Sequence, residues 1–498
     1  MKNTKTTLRV LLTTAFGLVL GCSSLNPKSS ELDSTPIAAR PEAIKEQAVD
    51  FTLPAIEKWQ MSNGVWVYYK FDDELPLVSG TLYLRGGSLQ DPADKVGLSE
   101  AVGAQMRDGS IKGMSPAELD KKLDYLAAAV ESSFGAEFGS VGFSCLSEDF
   151  QEVGKLFSKI VREPAFDSER FALWQRLSIE GIKRRKDDPE TMGALAASAL
   201  IYGAKSPWGR IETESSISSL TREDLIAQWQ KFARPNGALL AASGSIPTAE
   251  FRRQIEQLFG DWPRGPEYDF SLPPVENKPQ PGVYVLNRDF DQSTVFMAHL
   301  GPPRLTPDIY EMSIYNRVFS GGFGSVLFDE IRTKLGLVYD ISGGLAPGAI
   351  KGLFQTALGT RNEAAIQAIV ETVRLTDESI RTVPLEQRFR EAKSAAERSF
   401  IFRFDDSGQV VKRAANQLLM GYPEDFDRTY LEKIGQVTPQ MVRDVAAKWV
   451  KPKELVIVIV GRQKPEQIAA KFSKLGYRVF ELGFESEPKV LRELKRRK

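Results

Sequence analysis

The 498-residue chain holds one histidine, His299, and two cysteines, Cys22 and Cys145. Imidazole is both the commonest metal ligand and the commonest general base near neutral pH, so any mechanism that needs two imidazoles from one chain is excluded at the outset. His299 ends the apolar run Val295-Phe-Met-Ala-His299. With no neighbouring donors it reads as a structural or surface histidine rather than a metal ligand. Cys145 closes the strand-like run Gly139-Ser-Val-Gly-Phe-Ser-Cys145 and reads as a small buried hydrophobe. The glycine loop Gly321-Gly-Phe-Gly324-Ser325 does not have the spacing, or the following Lys-Ser/Thr pair, of a phosphate-binding P-loop. Lys plus Arg equals Asp plus Glu at 65 each, which gives no reason to expect nucleic acid as a partner.

The elements that must position any site follow from length and pattern. A chain of 498 residues implies two or more domains, and 42% apolar against 26% charged residues supports sizeable cores. The first 22 residues read as an export signal: Lys2, Lys5 and Arg9 precede an apolar stretch, Val10 to Leu20, too short to span a bilayer. It ends in Val19-Leu20-Gly21-Cys22, which resembles a bacterial lipoprotein box with Cys22 as the lipidated thiol. Ser23 after it fits sorting to the outer membrane, so a lipid-anchored envelope protein facing the periplasm is expected. Residues 23–48 read as a flexible tether.

Beyond the tether the chain repeats itself. Thr221 to Pro235 and Thr438 to Pro452 each span 14 positions (235 − 221; 452 − 438). Pro235 to Gly244 and Pro452 to Gly461 each span 9 (244 − 235; 461 − 452). Each copy reads as a Thr-capped amphipathic helix, a Pro-containing turn and an apolar strand ending in Gly. Strand-then-helix patterns also correspond at Leu77–Leu84 with Leu98, Val102 and Met106, and at Ser293–Leu300 with Asp308–Phe319. The expected domains are 49–264 and 280–482, joined by a Pro-rich linker at 265–279. Residues 483–498 form a basic tail, with five of the seven residues from Arg492 to Lys498 cationic.

Several ordered blocks resemble the pitrilysin/insulinase-type (inverzincin) zinc peptidases. They are Leu84-Arg-Gly-Gly-Ser88, Asp91-Pro92 and Gly97-Leu98; Asp187-Asp-Pro189, Tyr202-Gly203 and Pro207-Trp-Gly-Arg210; and above all Phe319-Ser-Gly-Gly-Phe-Gly-Ser-Val-Leu-Phe-Asp-Glu-Ile-Arg332 continuing to Gly336-Leu-Val-Tyr339. The resemblance implies an α+β fold of two homologous α/β-sandwich domains, of the LuxS/processing-peptidase type, forming a clamshell. It also implies a helix bearing H-x-x-E-H, where two imidazoles hold zinc and the Glu is the general base, and a third-ligand Glu from a later helix.

This chain departs from that pattern at the chemistry. Aligned on Gly97-Leu98, the two His positions fall on Glu100 and Ala104, and the base on Gly103. Glu180 stands at the third-ligand position. No catalytic residue and no metal are therefore expected in this chain. Gly103, about 1 kcal/mol worse than Ala inside a helix, fits relaxed demands there. Arg332 and Tyr339 match the residues with which the family's second domain holds substrate; the alternative is an Arg332 paired with Asp329 or Glu330 and a Tyr339 packed at the surface. The resemblance implies a non-catalytic subunit working with a zinc-bearing sister chain on an extended peptide. Two alternatives stay open: a non-proteolytic peptide-binding or assembly lipoprotein, and an autonomous metallopeptidase using Glu100 and Glu180.

Overall fold

Alternating apolar residues over Leu77–Arg85 and Phe138–Leu146 bury one face of each segment, and such half-buried segments pair as antiparallel strands. A computed structural model describes residues 51–382 and 385–494; the signal segment, Cys22 and the 23–48 tether lie outside the described residues. The first sheet has six strands in the order β1-β2-β6-β3-β5-β4: β1 (Glu57–Gln60), β2 (Trp66–Phe71), β3 (Leu77–Arg85), β4 (Ala129–Phe134), β5 (Phe138–Leu146) and β6 (Leu239–Gly244). The second has seven, in the order β13-β12-β7-β11-β8-β10-β9: β7 (Gly282–Asn287), β8 (Gln292–Leu300), β9 (Val338–Ala346), β10 (Leu353–Arg361), β11 (Val456–Gly461), β12 (Val479–Phe484) and β13 (Pro488–Glu493).

The internal repeat holds strand by strand. The order β2-β6-β3-β5-β4 recurs as β7-β11-β8-β10-β9, and the parallel pair β2/β6, with Trp66 opposite Leu239, recurs as β7/β11, with Gly282 opposite Val456. Thr221 and Thr438 each accept from a backbone amide three residues on and so cap the helices Arg222–Phe232 and Pro439–Trp449.

Strands β6 and β11 are buried along their whole length, so both faces of each sheet are covered and the strands read as unbroken apolar runs. One face of each is covered by its own half. The other is covered by the opposite half: helix Ser407–Leu419 lays Val411 and Ala415 on Tyr68, Leu239 and Ala241, and helix Pro189–Ser198 lays Met192 and Ala196 on Tyr284, Ala298 and Val458. Each half thus carries part of the other's core. Arg304, just after β8, adds an ion pair at 2.5 Å to Glu137 in the β4–β5 turn.

The C-terminal segment corrects the sequence reading. Pro488–Glu493 is no solvated tail but an antiparallel edge strand on β12, and Arg492 pairs with Glu481 at 2.6 Å. Its residues beyond Pro488 are exposed, so backbone pairing with β12 and ion pairs hold the strand rather than a buried face, and no apolar alternation marks it in the sequence.

Candidate functional site

The first-half site is built on helix Leu98–Asp108. Its start is fixed by Asp91, whose carboxylate accepts from the backbone of Gly97 (3.2 Å) and Ser99 (3.0 Å) and from Ser99 Oγ (2.5 Å). A carboxylate facing the first amides of a helix satisfies donors that have no partner within it. Burial nevertheless pushes the Asp91 carboxyl up to about 6, against the opposing pull of the Ser99 hydrogen bonds and Arg210.

Glu100 lies on the open side of this helix. Desolvation, and then the carboxylate of Glu212, hold its carboxyl above the usual range, while Arg185, which pairs with Glu212 at 2.8 Å, pulls the other way. Glu180, on helix Ser168–Arg184, is exposed and bound to Lys183 at 3.0 Å. Ala104 has no donor atom. Among the described residues no three His, Cys, Asp or Glu side chains gather into a group that could hold a metal. The chain's own residues therefore do not fit the zinc centre of the peptidases it resembles.

Gly103 needs a different explanation from relaxed demand. A Cβ there would meet the backbone nitrogen of Phe134 at 2.4 Å and the carbonyl carbon of Ser133 at 2.8 Å, and Ser132 Oγ donates to the Gly103 carbonyl at 2.6 Å. The glycine lets edge strand β4 lie directly on the helix, so the space for a general base is filled with backbone.

The second-half site is built on the π-helical turn Phe328–Lys334 and on edge strand β9. Asp329 pairs with Arg388 at 2.7 Å and Glu330 with Lys334 at 2.6 Å, so neither is Arg332's partner. The Arg332 guanidinium lies over the rings of Phe328 (4.6 Å) and Tyr339 (5.2 Å), and no carboxylate pairs with it among the described residues. Tyr339 is 80% exposed. Contact with a ring face orients the guanidinium and leaves its N–H edge free to donate. Arg332 and Tyr339 are brought together; Glu100 and Glu180 are not joined in any metal-holding group.

His299 is structural. Its Nε2 accepts from the Lys451 backbone at 2.9 Å, so Nδ1 carries the proton and donates to the Leu300 carbonyl at 2.8 Å. Cys145 is buried, and desolvation pushes its thiol up to about 12. The Arg304–Glu137 pair escaped the sequence reading because 167 positions separate its members and neither stands in a motif.

Fold and site together define a two-domain, peptidase-like clamshell with no ligand set on its metal helix. Residues 219–395 match the family model described as the peptidase M16 inactive domain. The matched segment lies across the junction of the two halves, and the match is consistent with a degenerate relative of the pitrilysin-type peptidases. The chain is 21% identical, over 80% of its own length and 93% of the relative's, to a protein of Helicobacter pylori called non-peptidase homolog YmxG. It is 23% identical, over 79% of its length and 83% of the relative's, to a Streptomyces coelicolor protein called an uncharacterized zinc protease. The crystal structure of a peptidase M16 inactive domain from Pseudomonas fluorescens superposes with a TM-score of 0.76 at 21% identity, covering 82% of this chain and 98% of that one. The periplasmic protease PqqL of Escherichia coli gives a TM-score of 0.71 at 14% identity, covering 87% of this chain and 49% of that one.

Proposed function

We propose that this chain is the non-catalytic subunit of a two-chain zinc metallopeptidase of the cell envelope, anchored through lipid on Cys22. It lends Arg332 and Tyr339 to a peptide chamber shared with a zinc-bearing sister chain. The observation that carries the reading is the contrast between the two halves. Where a base would stand, Gly103 is covered by β4 backbone, whereas Arg332 lies over two rings with no carboxylate partner among the described residues and Tyr339 stands in solvent.

In this role Arg332 donates to a carbonyl of an extended peptide, and Tyr339 Oη donates toward the oxygen that gains charge during attack. The sister chain would hold the zinc, which would supply the attacking water. A peptide-binding or assembly lipoprotein without any cleavage partner is the second reading, favoured by the non-peptidase name of the Helicobacter pylori relative.

The test is reconstitution with a family chain from the same genome that carries an intact H-x-x-E-H. Peptide cleavage should appear only in the mixture, should be abolished by chelator, and should fall by roughly 10²-fold in Arg332→Ala, the loss typical of one removed transition-state donor. Full activity of the Arg332→Ala mixture would end the assignment of that residue. Chelator-sensitive cleavage by this chain alone would end the subunit reading.

A further inference from the structure

A cavity of about 310 Å³ that neither site uses opens where β2, β3 and the end of helix Arg222–Phe232 meet the Pro-rich segment after Trp262. Four cations line it: Arg85 at the end of β3, Lys231 in the last helical turn, Arg234 just beyond it, and Arg264. None of the four pairs with an Asp or Glu among the described residues, although Glu267 also lines the cavity. The second copy of the repeat is the internal contrast, because Lys448, the counterpart of Lys231 (448 − 231 = 217), pairs with Asp308 at 2.6 Å.

A helix C-terminus attracts cations, which accounts for Lys231 and Arg234 but not for Arg85 and Arg264. The wall is built. Asn236 clamps the Gly265 backbone with two hydrogen bonds, Nδ2 to the carbonyl at 3.1 Å and the amide to Oδ1 at 3.2 Å. The Tyr268 ring stands 5.0 Å from the Arg234 guanidinium and 5.9 Å from Lys231 Nζ. Arg234 Nε is buried without a hydrogen-bond partner among the described residues.

Gathered cations repel one another unless an anion joins them, and arginine forks match the several oxygens of a phosphate better than a single carboxylate. We infer that this cavity binds a phosphate group, carried either on a free phosphate compound or on a phospholipid headgroup.

The experiment uses the full-length chain in detergent at low salt, titrated with pyrophosphate and with glycerol phosphate. In parallel, binding to phosphatidylglycerol-containing vesicles is compared with binding to pure phosphatidylcholine vesicles. Wild type, Arg85→Gln/Arg264→Gln, Lys231→Gln and the control Lys448→Gln are compared, with circular dichroism reporting the fold of each. Wild type and Lys448→Gln should bind saturably, and the double variant at least tenfold more weakly, with a shallower salt dependence. If the double variant fails to fold, Lys231→Gln carries the comparison with the same expected direction. Loss of soluble-phosphate binding alone identifies a free phosphate compound. Loss that extends to the phosphatidylglycerol-specific gain identifies a headgroup. Absence of saturable binding in both arms, or equal binding by the cavity variants and wild type, overturns the inference.

Discussion

The backbone nitrogen of Phe134 lies 2.4 Å from the point where a Cβ on Gly103 would stand. Two effects therefore oppose one another in Gly103→Ala. Helix propensity favours the alanine by about 1 kcal/mol, while forcing a methyl against strand backbone costs about 1–3 kcal/mol. Packing wins because the obstacle is main chain and cannot rotate away. Denaturant titration should show Gly103→Ala destabilised by about 1 kcal/mol; a stabilised variant would mean that β4 yields.

The same contact bears on restoring the zinc centre. Glu100→His with Gly103→Glu and Ala104→His recreates the motif in sequence, but the Glu side chain has to enter space held by Ser133 and Phe134, and Glu180 is engaged with Lys183. The triple variant should bind substoichiometric zinc by metal analysis and cleave no peptide. Stoichiometric zinc with cleavage would show that only the missing side chains separate this chain from an active peptidase.

What could be read in advance was what repeats or what is local. Thr221 and Thr438 advertise their caps within three residues, and the spacing to Pro235 and Pro452 gave the two-copy architecture. Glu100, Gly103 and Ala104 were placed by alignment on Gly97-Leu98. Arg304 and Glu137 meet only through the tertiary fold, and the exchange of helices Pro189–Ser198 and Ser407–Leu419 between the halves leaves no local trace. The reason for Gly103 was misread, since propensity sees the helix and not the strand lying on it. β13 was missed because its charges resemble a tail when the strand it pairs with is out of view.

Arg304 and Glu137, with side chains 10% and 20% exposed, tie the two halves together. Removing one partner strands a poorly hydrated charge, whereas replacing both with apolar groups removes the desolvation cost as well as the attraction. Arg304→Ala should therefore lose about 3 kcal/mol, and Arg304→Met with Glu137→Leu should recover most of it. A double variant as unstable as the sum of the single ones would show that the pair is not what couples these positions. The measurement is a double-mutant cycle in chemical denaturation.

His299 gives the chain a pH response whose sign follows from its hydrogen bonds. Nε2 accepts from the Lys451 amide, which a protonated imidazole cannot do, and burial holds the ring's pKa below the ordinary 6.5. Between those two values the unfolded chain binds a proton that the folded chain refuses, so stability falls as pH drops. The contribution is complete above 6.5 and is lost through the folded value. Asp91 works in the opposite sense: its carboxyl, raised to about 6 by burial, binds a proton in the folded chain first, so acidification through that value favours folding. Comparing wild type with His299→Gln cancels the Asp91 contribution. Between pH 7.5 and 5 (conditions chosen to bracket the ordinary imidazole value, about 6.5), the melting temperature of wild type should fall more steeply than that of His299→Gln. Parallel slopes would show that the imidazole takes up its proton equally in the folded and unfolded chains and that the Lys451 hydrogen bond does not form in solution.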